Sequence, residues 1–379
     1  MKLIKKTLAA AAAALLVAAP ALADVNIGVS LPLTGPGSGL GIPMQKEFAL
    51  WPKTIAGEKI NLTILDDATD PGKGVNNAKR FTSEDHVDLI IGSAITTVAA
   101  AMAPVATEAK TLMLAAAPVD LPPGQDHWVF RLPQSSDVMA HAVVAHMVKQ
   151  GVKTIGFLGY TDAYGEVWLK SITAAAAKHG IKVIATERFA RPDTSVTPQA
   201  LKLVEAHPDA ILVVASGSGA AMPEMALVER GYKGKIYQTH AAATPDLMRI
   251  GGKEVEGTYV VSGPAVIAEQ LPDNHPSKAV AVQYATQFEK AYGPGSRNQF
   301  AAHAFDARIV MEKILPVALK KAKPGTAEFR AALRDAVEGM GRTIFSQGVM
   351  DWSPTDHWGY TDETGVMLKV VDGKFVVEH

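Results

Sequence analysis

Short apolar runs rich in β-branched residues alternate along this chain with helical stretches of ten or more residues, and the alternation occurs twice. The first set of runs lies at 25–31, 59–65, 87–91 and 111–117, with a shorter one at 127–132; the second lies at 154–158, 182–189, 210–215, 235–239 and 258–262. Strands spaced by helices pair in parallel, because a parallel neighbour needs a crossover connection, and the crossing helices cover both faces of the sheet. Two such sets predict two sheets. The helical stretches at 278–292, 300–322 and 326–338 have no strands of their own, so they are expected to return to the first set. The tail adds a hairpin signal, runs at 366–371 and 374–377 around Asp372-Gly373. Between the first two strands, 33–41 reads as a Gly/Pro/Ser loop and 44–55 as a helix that Pro52 ends or bends. The expected fold is α/β, two doubly wound parallel sheets joined by three crossings near Ser135, Pro264 and Ser346. One lobe is then 24–135 with 264–345, the other 136–263 with 346–379. Ligands of such folds lie beyond the carboxyl ends of the strands, so two facing sheets enclose one cleft.

The amino terminus sets the address. Met1-Lys2-Leu3-Ile4-Lys5-Lys6 is basic, 8–19 is apolar, and Pro20 precedes the small-residue pattern Ala21-Leu22-Ala23. This is the pattern of a secretory signal peptide cleaved after Ala23, over residues 1–23, and its apolar run is too short for a membrane span. Cysteine is absent, which excludes a disulfide framework, a thiolate metal site, a Cys nucleophile and a Cys-linked lipid anchor. The net charge of −1 becomes more negative once Lys2, Lys5 and Lys6 leave with the leader. A mildly acidic surface without a basic face argues against nucleic acid. A freely diffusing monomer in an exported compartment, a bacterial periplasm, is the expectation.

Catalytic signatures are missing. Gly35-Pro36-Gly37-Ser38-Gly39-Leu40-Gly41 follows a strand as a dinucleotide fingerprint would, but Leu40 and Ile42 stand where the third glycine is needed. Ser216-Gly217-Ser218-Gly219 never completes a Gly-x-Ser-x-Gly elbow, because Ala215 precedes Ser216. His141 and His146 are five apart, off a common helical face, so a shared metal is not expected. No cofactor, metal or nucleophile is assigned.

The stretch with most to offer is 87–119, which reads as strand, turn, helix, strand. Thr96 and Thr97 stand at the amino edge of its Ala-rich helix. A helix start carries unpaired N–H groups and a partial positive charge, so a carboxylate can bind there without Lys or Arg. The plainer reading is that one threonine caps the helix.

With this order in hand, the chain resembles the leucine/isoleucine/valine-binding family of periplasmic proteins that feed ABC importers. The resemblance spans the mature sequence. It is carried by Ile27-Gly28-Val29-Ser30-Leu31-Pro32-Leu33-Thr34-Gly35-Pro36, Asp66-Asp67-Ala68-Thr69-Asp70-Pro71, Ile91-Gly92 with the hydroxyl cluster after it, Phe130-Arg131, and Asp162-Ala163-Tyr164-Gly165-Glu166. It implies the two-lobed type I periplasmic-binding-protein fold, which closes over a small ligand and docks on permease subunits in the inner membrane. It also implies that a ligand carboxylate meets Thr96, with Thr97 beside it, and the loop from Ala117 to Val119, although Pro118 has no N–H to offer. Tyr164 matches the tyrosine that covers the ligand from the second lobe.

The far end of the site departs from amino-acid binders. Where they carry an acidic residue, this chain reads Thr239-His240-Ala241-Ala242-Ala243. Burying an ammonium without a counter-charge costs several kcal/mol. Asp162 is an alternative partner, or simply a helix cap. The loop Ser216-Gly217-Ser218-Gly219-Ala220-Ala221 is small where relatives often carry Tyr, which predicts a wider, less ionic cavity with Ser216, Ser218 and Leu40 among its lining. The stretch 348–357 resembles a branch associated with aromatic acids such as benzoates. The resemblance therefore favours a small aromatic or hydrophobic carboxylate over a branched-chain amino acid. His240 could meet a ring hydroxyl or a second anion, or be a surface loop residue. Trp51, Trp128 and Trp168 read as packing residues. A ligand-sensing module and an exported hydrolase are the other readings.

Overall fold

A computed structural model describes residues 24–378; the signal peptide assigned to 1–23 lies outside the described residues. The first lobe is built on β1 (Val25–Leu31), β2 (Thr54–Ile55), β3 (Glu58–Asp66), β4 (Leu89–Gly92), β5 (Leu112–Ala115) and β6 (Val129–Arg131), in the order β2-β3-β1-β4-β5-β6. All pair in parallel except the short edge strand β2. The second sheet holds β7 (Thr154–Tyr160), β8 (Lys182–Phe189), β9 (Ala210–Val214), β10 (Lys235–Gln238) and β11 (Tyr259–Ser262). A small ribbon of β12 (Thr343–Phe345) and β13 (Gly348–Met350) precedes β14 (Val366–Val371) and β15 (Lys374–Val377). The second sheet runs β15-β14-β11-β10-β9-β7-β8, its last two strands forming the hairpin expected around Asp372-Gly373.

The helices are α1 (Ser38–Phe48), α2 (Pro71–Ser83), α3 (Thr96–Glu108), α4 (Ser136–Lys149), α5 (Ala163–Ala177), α6 (Thr197–Glu205), α7 (Ala221–Glu229), α8 (Pro245–Gly251), α9 (Lys278–Tyr292), α10 (Gln299–Ala318) and α11 (Ala327–Glu338). Local chemistry starts several of them. Asp70 accepts from the Lys73 N–H with Pro71 in the first helical turn of α2, and Ser135 and Thr326 cap α4 and α11. The long late helices do return to the first lobe. Trp51 Nε1 donates to the Ala304 carbonyl of α10 at 3.1 Å, and Gln287 of α9 donates to Glu47 of α1 at 3.1 Å.

One element departs from the sequence expectation. α1 begins at Ser38, inside the presumed loop, and ends at Phe48 before Trp51-Pro52. Its propensity is poor, with two glycines and Pro43, but Leu40, Met44 and Phe48 are buried on one face. Tertiary packing overrides propensity here.

Both sheets share one topology. Around β1 and around β7 the strand order is 2-1-3-4-5, and the order reverses between β1 and β4 and between β7 and β9. These are switch points, where neighbouring connections leave on opposite faces and open a crevice. At the first, Gly92 has φ +119°, and a Cβ there would sit 2.0 Å from the Ser30 carbonyl oxygen, so only glycine fits the turn into α3. The chain passes between lobes after β6, after β11 and after β12, and glutamines tie these passages together. Gln134 donates to the Gln347 carbonyl at 2.8 Å, Gln347 donates to the Gln299 carbonyl at 3.0 Å, and Gln299 accepts from Ser262 Oγ at 2.8 Å. Asp306 of α10 accepts the Ser346 N–H at 2.8 Å and the Gln347 N–H at 3.2 Å. Among the described residues, no helix is long and apolar enough to cross a membrane.

Candidate functional site

The lobes meet across a cleft of about 340 Å³, counting the space that opens to solvent. Its walls come from strand ends, as the two switch points demand. Leu40 follows β1, Ala94 and Thr96 follow β4, Ala116 and Pro118 follow β5, and Pro133 follows β6. From the facing sheet, Tyr164 follows β7, Arg191 follows β8, Ser216 follows β9, and His240 and Ala241 follow β10. Phe300 and His303 are the exceptions; they descend from the first turns of α10.

The helix start expected to hold an anion is open. Ile95 is the N-cap of α3 and its side chain caps nothing, so Thr96 is the first helical residue rather than the cap; Ser93 Oγ accepts the Ile95 N–H at 3.2 Å. Neither threonine serves as the plainer reading had it. Thr96 is 3% exposed and lines the cleft, whereas Thr97 belongs to the next position round the helix and does not. In the loop after β5 the alternation is shifted by one: Ala116 and Pro118 face the cleft, while Ala117 and Val119 are packed away from it. The Val119 carbonyl accepts from Arg131 Nε at 3.1 Å. Side chains in extended segments alternate in direction, so of the named loop Pro118 lines the cleft, with Ala116 just before it.

Tyr164 forms part of the opposite wall and is 4% exposed. Its hydroxyl pairs with Thr239 Oγ1 at 2.8 Å, so it presents its ring to the cleft and keeps its polar end in the second lobe. Burial pushes this phenol above its ordinary pKa. Asp162 is committed twice. It caps α5 by accepting from the Tyr164 and Gly165 N–H groups, and its other oxygen holds Arg191 Nε at 2.5 Å. It is not free to receive an ammonium.

Arg191 is the residue that sequence reasoning overlooked. Its guanidinium donates to Ser216 Oγ at 2.8 Å, lies 4.1 Å over the Tyr160 ring, and has a side chain only 11% exposed. Two of its five N–H groups are used in the bonds to Asp162 and Ser216, which leaves three others on a residue that lines the cleft. The signal was available: Arg191 stands just past the carboxyl end of a strand, as Tyr164 and Ser216 do. His303 had no such signal, because a late helix carries it back from another part of the chain.

His240 is no surface residue. It is 3% exposed, and His303 is 1% exposed. The Nδ1 atoms of both are buried without a partner in the chain. Burial pulls His240 down to about 4, and burial plus the neighbouring His240 pulls His303 down to about 3, so both rings are neutral at pH 7.

The small loop after β9 does something other than widen the cavity. A Cβ on Gly217, whose φ is +52°, would lie 2.7 Å from Leu40 Cδ1, so the glycine lets Leu40 of the first lobe pack against the second. Ser216 faces the cleft; Ser218 sits in the following turn beside Gly39 and does not line it. The 348–357 stretch also stays outside. Trp352 packs edge-on to Phe130, His357 stacks on Phe130 at 3.8 Å, and the segment lies along β6.

A family model described as periplasmic binding protein matches residues 24–367. The chain is 28% identical over 253 residues to Leu/Ile/Val-binding protein homolog 3 of Brucella melitensis, covering 64% of this chain and 68% of that one. Among solved structures, an extracellular ligand-binding receptor from Rhodopseudomonas palustris is 44% identical, with TM-score 0.92 over 94% of this chain and 99% of that one. A solute-binding protein of an R. palustris ABC transporter, solved in complex with benzoate, shares the fold at 18% identity and TM-score 0.78, over 94% and 95% of the two chains. This chain belongs to the periplasmic binding protein family, in its leucine/isoleucine/valine-binding branch, a family of ligand-binding receptors.

Proposed function

We propose that this protein is an extracytoplasmic solute receptor that captures a small aromatic or hydrophobic monocarboxylate by lobe closure and hands it to the permease subunits of an ABC importer. One observation carries the ligand class. The cleft lining offers an open helix start at Thr96 and the guanidinium of Arg191, and it contains no carboxylate side chain. An anion is matched at one end, and an ammonium has no partner anywhere along the wall. Tyr164, Phe300, Leu40 and the two prolines give the rest of the cavity an apolar surface suited to a ring or a branched chain.

Binding needs no chemistry. The carboxylate takes unpaired N–H groups of α3 and Arg191, each charge-assisted bond contributing about 1.5–3 kcal/mol. Closure over the ligand excludes water and strengthens those bonds. Periplasmic residence after cleavage at Ala23 is part of the same reading. The name of the Brucella relative favours branched-chain amino acids as the alternative; the missing counter-charge disfavours it. Calorimetry and thermal shift with benzoate and L-leucine at pH 7.5 separate the two. Benzoate is expected to bind and to raise Tm. Stabilisation by leucine alone overturns the proposal.

A further inference from the structure

The cleft contains two buried imidazoles that nothing in anion capture requires. His240 comes from the second lobe and His303 from α10, both line the one cleft, and His240 adds to the cost of charging His303. Around His240 stand Trp168, with its ring 5.8 Å away, Tyr164 at 6.2 Å, and His303; around His303 stand Phe300 at 6.3 Å and His240. Among the residues that line the cleft with these two rings, none is acidic. Buried polar atoms without a partner are uncommon and costly. Two such atoms belong to residues that line one cavity from opposite sides, which gives a ligand group two rings to satisfy.

Position says which part of a ligand that group belongs to. His240 follows β10 and Arg191 follows β8, and the sheet runs β10-β9-β7-β8. Three strand spacings, about 14 Å at the backbone, separate the two anchors before their side chains reach inward. The imidazoles therefore address the end of the ligand remote from the carboxylate.

We propose that His240 and His303 together form a neutral subsite that selects ligands bearing a hydroxyl on the end opposite the carboxylate, and that rejects a second charge there. The inference rests on the monocarboxylate reading above. A hydroxyl is the matching group because it can donate to one ring nitrogen and accept from the N–H of the other, whereas a carbonyl can satisfy only the donor. A second carboxylate would need a protonated imidazole, and burial disfavours charging either ring. An ammonium would be buried among uncharged groups.

The test is calorimetric titration of benzoate, 4-hydroxybenzoate and terephthalate at pH 7.5 into the wild-type protein and into His240→Leu and His303→Leu, with folding checked by thermal melts. The wild type is expected to bind 4-hydroxybenzoate about tenfold tighter than benzoate, and terephthalate more weakly than benzoate. Within each variant the ratio of 4-hydroxybenzoate to benzoate affinity should fall towards one, whatever the change in benzoate affinity itself; His240→Asn, which keeps a donor and an acceptor, should restore part of the ratio. Equal binding of benzoate and 4-hydroxybenzoate by the wild type, or an undiminished preference in both variants, overturns the subsite and leaves the carboxylate reading standing. Failure of all three acids to bind, with leucine binding instead, overturns both.

Discussion

At the scale of single residues, the cleft divides labour between groups that hold a ligand and groups that hold each other. In the proposed reading Thr96 is of the first kind. Thr96→Ala removes one hydroxyl from an otherwise intact helix start, and it should weaken benzoate about tenfold in calorimetry with little change in Tm. Tyr164 is of the second kind at its polar end. Tyr164→Phe deletes a bond to Thr239 inside one lobe, so it should cost about 1 kcal/mol of stability and leave benzoate affinity nearly unchanged. The reverse pattern would exchange their roles. Legibility at this scale followed strand ends. Thr96 was read from its helix start, and Tyr164, Ser216, His240 and Leu40 from the family resemblance; each follows a strand, and all five line the cleft. Thr97, Ala117, Val119 and Ser218 were one residue or one turn out of phase. Phase depends on where a helix or extended segment starts, and Ile95 rather than a threonine occupies the cap of α3.

At the scale of elements, the alternation of strand and helix was readable because parallel pairing leaves so few arrangements. The start of α1 was not, since Gly39, Gly41 and Pro43 argue for a loop and only the buried face of Leu40, Met44 and Phe48 argues for a helix. That helix carries Leu40, one of the residues on which the lobes meet. Gly217→Val places a branched side chain where Leu40 Cδ1 now lies and forces a positive φ on a β-branched residue. The variant is expected to fold, to bind benzoate more weakly, and to stay extended in small-angle scattering at saturating benzoate where the wild type compacts. Equal compaction would mean that the lobes close without this contact. The glutamine ties between the passages escaped sequence reading altogether, because Gln134, Gln299 and Gln347 are far apart in the chain and ordinary in kind.

At the scale of the whole molecule, buried titratable groups predict how stability responds to pH. Burial raises Glu47 to about 8 and Asp306 and Glu224 to about 7. The fold favours their protonated forms, so the stability they contribute is present in acid and is lost as pH rises through those values. His240 and His303 act in the opposite sense. Their folded values lie below the ordinary 6.5, so their contribution is present above 6.5 and is lost as pH falls towards 4 and 3. The melting temperature should therefore rise from about pH 8 to about pH 6.5, and the rise should be checked below that; replacing both histidines by Leu should let it continue further. A melting temperature that falls between about pH 8 and about pH 6.5 would contradict this ordering. The central claim concerns charge rather than stability, namely that an anion without a companion cation is what the two lobes enclose. Titrating benzoate and benzamide into the same protein tests it most directly, because the two differ in little but the charge on one group. The account predicts measurable benzoate binding and benzamide weaker by about a hundredfold; equal affinity for the two would contradict it.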